Sequence, residues 1–343
     1  MIKSWVFEFV HAAGSDTEIL EPGFTARTYA DCFDIWKQAE TLGFEGIFFS
    51  EHHFQLSYSP SPNLLVAAAA RETSRLRLGV MGVVLPFYPP WRVVEEMFML
   101  DHISGGRLEI GCALGVPQEL ARVGIAPDEA RERYEEALRF LDLALREPVF
   151  SFEGKFWSVE NLSIVPRSLQ QPLPPVWTPV LSDNSARQAA RRQSKISTGF
   201  ESVDRIRTLF DVYRAEADAL GYRAGSGDLA IRRNVSVAAT SAEAQEAADI
   251  AKNVSRKLMA GDTRVTRLDS ASLDAPKKES GFTIHPDEYV VGTPSQVAEQ
   301  IIDQCRTCGA GHFFGTLGRG LGVRRRDAVM LFGEKVVPAL LKA

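Results

Sequence analysis

Ser50-Glu51-His52-His53-Phe54 sets two adjacent imidazoles beside a carboxylate, directly after the apolar run Gly46-Ile47-Phe48-Phe49. Imidazole titrates near neutrality, so His52 and His53 suit proton transfer to or from a bound molecule. The same pair suits metal ligation, or a histidine held by a hydrogen bond in a packed loop. A metal site needs further ligands in matching geometry. His11, His102, His285 and His312 are dispersed, with no HxH or HExxH spacing. No metal is therefore expected, and acid–base and structural roles both stand.

Other stretches could serve a ligand. Leu181-Ser182-Asp183-Asn184-Ser185 places hydroxyls at the start of a helix, which makes either an anion site or an ordinary cap. Arg131, early in a long helix, offers a cation for the same ligand or a solvated side chain. In Leu78-Gly79-Val80-Met81-Gly82-Val83, Gly82 permits close approach of a flat ligand, or simply a bulge. Cys305 and Cys308 form a CxxC with no second cysteine pair, so redox or zinc use is not expected. The glycine-rich 315–322 lacks the Lys-Ser/Thr of a P-loop and reads as a flexible turn. Arg324-Arg325-Arg326 reads as a solvated helix face, and His102, in the Asp101–Arg107 joint, as structural.

These residues need a scaffold, and the chain supplies a regular one. Strand patterns at 4–10, 46–49, 76–85, 107–113, 175–181, 196–200, 229–238 and 311–315 alternate with helical patterns at 25–42, 63–73, 91–103, 127–146, 185–193, 203–220, 241–259, 293–308 and 323–341. Nearly uniform apolar strands separated by helices predict parallel strands covered on both faces. The economical closure is α/β, a (β/α)8 TIM barrel with insertions, formed as a single domain. A doubly wound open sheet is the runner-up, but no GxGxxG joins the first strand to its helix. The insertions are a hairpin near 150–164 and a polar, mobile excursion near 261–286. In such barrels chemistry gathers at the carboxyl ends of the strands, where His52 and His53 follow the second strand.

Bulk properties narrow the partner. With 343 residues, 45% apolar, 24% charged and a net charge of −5, the chain is not built for nucleic acid or an anionic membrane. No apolar run approaches the ~20 residues that span a bilayer, and no export signal is read at the N-terminus. Four cysteines are too few for a disulfide framework, so a cytoplasmic setting is expected.

The ordered set of motifs resembles the bacterial luciferase-like flavin monooxygenases over nearly the full length. It comprises Leu42-Gly43-Phe44, Ser50–Phe54, Pro62 with Ala67-Ala68-Ala69, Gly79 with Val84-Leu85-Pro86, and Leu100–Arg107. It continues with Arg131–Tyr134 and Val291-Gly292-Thr293-Pro294. The resemblance implies reduced FMN or a deazaflavin at the barrel mouth. It implies His52 as the active-site histidine, with His53 lining the pocket less directly. Met81 and Gly82 would lie against the flavin ring, often through a non-proline cis peptide. Leu181, Ser182 and Ser185 would hold the phosphate, with Arg131 facing it. Luciferase has a cysteine and an arginine where this chain has Ala113-Leu114, so the phosphate grip differs in part. The activity implied is oxygenation of a small organic substrate by O2, with a separate flavin reductase supplying reduced FMN, in a homodimer. Deazaflavin-dependent hydride transfer and a non-catalytic flavin-binding subunit are the alternatives.

Overall fold

A computed structural model describes residues 1–15, 17–54, 57–259 and 284–343. Eight parallel strands close into a barrel. They are β1 (Lys3–Glu8), β2 (Gly46–Phe49), β3 (Arg77–Val80), β4 (Leu108–Ala113), β5 (Val176–Pro179), β6 (Lys195–Thr198), β7 (Leu229–Val237) and β8 (His312–Leu317). Each strand pairs in parallel with the next, and β8 returns to β1 with Lys3 opposite His312. The covering helices are α1 (Pro22–Thr41), α2 (Pro62–Glu72), α3 (Pro90–Ser104), α4 (Pro127–Arg146), α5 (Asp183–Arg191), α6 (Val203–Ala219), α7 (Ser241–Met259) and α8 (Pro294–Cys308). Two short helices, Arg325–Leu331 and Val337–Lys342, close the chain. The fold is the (β/α)8 barrel that the alternation predicts.

Alternation of side chains along each strand divides the core. One set packs outward under the helices; the other fills the lumen with Trp5, Phe7, Phe48, Met81, Trp177, Ala230 and Phe314. Trp5 stacks on Phe48 at 4.9 Å between ring centroids, so the interior is a packed floor and not a pore.

Two departures from the expected elements shape the carboxyl end. The run expected as one strand at 76–85 breaks after Val80, and Val83–Val84 pairs separately with Cys112 and Ala113 of β4. The break falls at Met81-Gly82, whose peptide is cis. A Cβ at Gly82 would lie 2.7–3.0 Å from the backbone of Cys112 and Ala113, so the neighbouring strand already requires glycine there. Second, an unexpected strand, Tyr289–Gly292, pairs with Asn234–Val237 of β7. It takes over the edge of β7 whose first residues, Leu229–Ile231, pair with β6. Phe150–Glu153 and Ser158–Leu162 form an antiparallel hairpin outside the barrel, within the span read as a hairpin insertion. The excursion expected at 261–286 lies, except for its last three residues, outside the described residues.

The amino end is stitched for stability. Arg107 donates to the carbonyls of Ala70, Thr73, Leu76 and Ser104, while Asp101 accepts from the backbone of Leu169 and Gln170. His102 bonds the Arg167 carbonyl, the structural role expected of it. An open cleft of about 740 Å³ at this end pairs Lys3 with Glu45 and Arg77 with Glu109, while Lys195 lies over the Trp177 ring. Below the lumen floor, Trp5 Nε1–H donates to His312 Nδ1 at 3.0 Å, which requires that nitrogen to be unprotonated. Burial, reinforced by Lys195 and Lys3, pulls the His312 pKa down to about 3. An imidazole whose folded pKa is depressed takes up its proton more readily unfolded, so stability is full above about 6.5 and falls toward pH 3. Replacing His312 by glutamine is expected to flatten the acid limb of a urea-midpoint-versus-pH curve. An unchanged slope between pH 6.5 and 4 would discard this account.

Candidate functional site

At the carboxyl end of β2 the two histidines part company. The His52 ring stacks on Phe9, with centroids 5.4 Å apart and planes at 10°, and Phe9 packs on the lumen cluster. His52 Nδ1 lies 2.9 Å from Glu119 Oε1, with side chains 22% and 3% exposed. A carboxylate can only accept, so Nδ1 carries the proton and Nε2 is left for a ligand. Glu119 reaches His52 from the short helix Pro117–Arg122, which follows β4.

His53 turns away. Its Nε2 bonds Glu51 Oε1 at 2.9 Å, and its ring meets Phe87 edge-on at 4.7 Å. Glu51 is a hub: Tyr88 donates to Oε1 (2.9 Å) and the Val84 N–H to Oε2 (3.1 Å). Burial and the Glu51 carboxylate push the Tyr88 phenol far above its ordinary range, which keeps it a donor. One carboxylate thus ties the histidine loop to the strand beyond the Met81-Gly82 break. The catalytic reading of the pair therefore concentrates on His52, with His53 holding the loop.

The residues expected around a flavin phosphate lie on the β4 and β5 sides. Arg131 is exposed on α4. Ser182 caps α5: its Oγ accepts from the Ser185 N–H at 3.2 Å, and Ser185 Oγ accepts from the N–H groups of Leu181 (3.2 Å) and Ser182 (3.0 Å). The ordinary cap is thus formed, and both hydroxyls are engaged in it. Leu181 is half-exposed, and Asp183 beside it pairs with Arg205 at 2.9 Å. Met81 is buried in the lumen cluster, and Gly82 follows it on the inner end of β3.

A basic cluster occupies the β7–β8 side. Glu288, fully buried just before the added strand, bonds Arg232 and Arg233 and also accepts from Asn234 Nδ2 (2.8 Å) and the Phe200 N–H (2.6 Å). Arg319, from the glycine-rich turn after β8, is 7% exposed and sets its guanidinium 4.0 Å from the Phe9 ring centroid. Burial, then Arg319 and Arg325, pull the His11 pKa down to about 4, so this side keeps nearby imidazole neutral.

A flat heteroaromatic with polar edges needs an apolar floor and spare hydrogen-bonding atoms around it. The floor is Phe7, Phe9 and Met81. Ser50 Oγ, Arg232 Nε and Asn234 Oδ1 are buried around it without partners among the described residues. The donor set fits an isoalloxazine. Among the described residues no three His, Cys, Asp or Glu side chains converge on one point.

Sequence reasoning missed Glu119, Glu288 and Arg319. Glu119 lies 67 residues from His52, with no spacing signal to join them. Glu288 sits beside an excursion read as irregular. Arg319 was hidden in a turn read as flexible, whose Gly318 and Gly320 have left-handed backbones at φ 62° and 79°. Arg325, expected on a solvated face, instead donates to buried Glu8 at 2.7 Å. Cys305 and Cys308 are buried, and burial pushes the Cys308 thiol up to about 11, away from thiolate chemistry.

Known proteins are similar to this chain in sequence or in fold. The oxygenase component of a flavin-dependent trigonelline monooxygenase from Acinetobacter baylyi is 30% identical over 187 residues, 52% of each chain. The oxygenating constituent of 3,6-diketocamphane monooxygenase from Pseudomonas putida, solved with FMN, has a TM-score of 0.75 at 21% identity over 98% of each chain. A coenzyme F420-dependent tetrahydromethanopterin reductase from Methanopyrus kandleri has a TM-score of 0.70 at 17% identity over 99% of each chain. The chain spans about half the length of the curated relatives it matches (56%, 44% and 52% for three of them). A family model described as luciferase-like monooxygenase matches residues 3–311. With the barrel and the match over that length, the chain belongs to the luciferase-like monooxygenase family.

Proposed function

We propose that this protein is the oxygenase component of a two-component flavin monooxygenase, which receives reduced FMN from a separate reductase and uses O2 to oxygenate a small organic substrate. The observation that carries the reading is His52, oriented by buried Glu119 and stacked on Phe9 at the edge of an aromatic floor. The named activities of the trigonelline and diketocamphane relatives support it. Met81-Gly82 and Phe9 would hold the ring, and Arg131, Leu181, Ser182 and Ser185 the phosphate end. Reduced FMN, when bound, supplies the electrons that activate O2. Glu119 fixes the His52 tautomer, so that Nε2 accepts or returns a proton at the reacting group. Phe7, Phe9, Phe48 and Met81 exclude water from that proton transfer.

The likeness to the F420-dependent reductase supports a second reading, hydride transfer by a deazaflavin without oxygen. Anaerobic titration with reduced FMN and with reduced deazaflavin, followed by an oxygen pulse, separates the two. Tighter binding of FMN with oxygen uptake is expected. A strong preference for the deazaflavin, with no oxygen uptake, would overturn the first reading. The same reading places the protein in the cytoplasm as a homodimer formed through α2 and α3. These helices pack together and expose Leu64 and Met99.

A further inference from the structure

We propose that Arg319 receives a carboxylate of the organic substrate, on the side of the mouth across from the flavin phosphate. The inference deepens the oxygenase reading and rests on it. Its first support is charge. Arg232, Arg233 and Arg319 gather around one buried carboxylate, Glu288. That carboxylate is already filled by four donors from Arg232, Arg233, Asn234 and Phe200. Asp287, next to it, accepts from the Val203 N–H, and Tyr289 lies near the cluster. Among the described residues the cluster is short of negative charge, and an uncompensated buried cation is strongly unfavourable.

The second support is geometry. Among the described residues no N–H of Arg319 has an acceptor, and its buried Nε is an orphan. Stacking on Phe9 stabilises the cation through the ring face but leaves the in-plane donors unused. Those donors form the planar fork that grips a carboxylate with two parallel bonds. The side chain is not held there by chance. Gly318 and Gly320 flank it in left-handed conformations, and a Cβ at Gly320 would press to 2.8 Å from Val254. Burial and Arg232 lower the Arg319 pKa to about 9, which still leaves it charged at neutrality.

Position chooses the ligand. In the strand order β8 lies four strands from β4 and three from β5, the strands that lead to Arg131 and to Ser182 with Ser185. A flavin whose phosphate rests there cannot also reach Arg319 with that phosphate. Phe9 links Arg319 to His52, being stacked against both, so an anion on Arg319 is held one aromatic ring from the proton-transferring imidazole.

The test uses FMN-loaded protein and two pairs of probes, benzoate against benzamide and hexanoate against hexanamide, followed by calorimetry. At least one carboxylate is expected to bind about tenfold to a hundredfold tighter than its amide, the range of a charge-assisted contact. Arg319→Gln should erase that preference while FMN affinity and the circular dichroism stay as in the wild type. Arg319→Lys, which keeps the charge without the fork, should retain part of it. Absence of carboxylate preference in the wild type, or its persistence in Arg319→Gln, would overturn the proposal. So would loss of FMN binding in a folded Arg319→Gln, which would make the anion the flavin's own. Carboxylate preference in a wild-type protein that binds no FMN would sink the oxygenase reading alone.

Discussion

Replacing His52 by alanine is expected to lower product formation by about 10²–10⁴-fold, the range of a positioned general acid or base, while reduced FMN still binds. Oxygen consumption should continue and end in hydrogen peroxide instead of product. The reasoning is local. The His52 ring contacts Phe9 and Glu119, neither of which is among the residues assigned to the phosphate end. Removing the ring deletes a proton carrier and leaves the apolar floor in place. Glu119→Gln should reproduce part of the loss, because an amide can present its N–H to Nδ1 and admit the other tautomer. Its signature is a displaced pH profile of kcat, which a residue acting only in packing would not move. Equal product per oxygen consumed in His52→Ala would remove His52 from the chemistry.

The legible parts of this molecule were those with a local cause. Strand β2 is four apolar residues in a row, buried throughout, and such a run reads directly as a strand covered on both faces. Pro294 after Thr293 announces α8, whose cap the structure contains. Ser182 and Ser185 lie three apart at a helix start, and that spacing is enough to build the cap. What stayed hidden depends on closure of the barrel. The 76–85 run is apolar on both sides of Met81-Gly82, and only the approach of β4 shows why the strand breaks there. Tyr289–Gly292 is only half buried and leads straight into the cap of α8, and it becomes a strand because β7 outruns β6 and leaves an edge to fill. Glu119 meets His52, and Arg325 meets Glu8 across 317 residues, only after the ring is closed. Charged side chains in such long-range pairs carry no periodic signal, so an arginine run was read as solvated when its middle member is partly buried and paired with Glu8.

Replacing Glu288 by glutamine is expected to destabilise the protein by about 3–5 kcal/mol, as when one member of a buried ion pair is removed. Glutamine keeps the volume and an acceptor oxygen, so the loss isolates the charge. Four contacts converge on this carboxylate, three from β7 and one from the Phe200 N–H beyond β6. Arg232 belongs to β7 and stacks on Phe200 at 4.1 Å; Asn234 lies two residues further along β7. Arg233, on the opposite face of β7, also donates to Gln304 of α8 at 2.8 Å. Phe200, whose φ of 70° is uncommon for a residue with a side chain, is bonded through its N–H. Without the negative charge, three guanidiniums share the β7–β8 side with no carboxylate between them. The variant should therefore lose stability more at low salt than at high salt, and added benzoate should recover part of the urea midpoint by binding the freed cations. If Glu288→Gln unfolds within about 1 kcal/mol of the wild type, the cluster is neutralised by some other group, since a screened surface pair is worth only that much. The charge deficit that directs Arg319 toward an anion would then disappear with it.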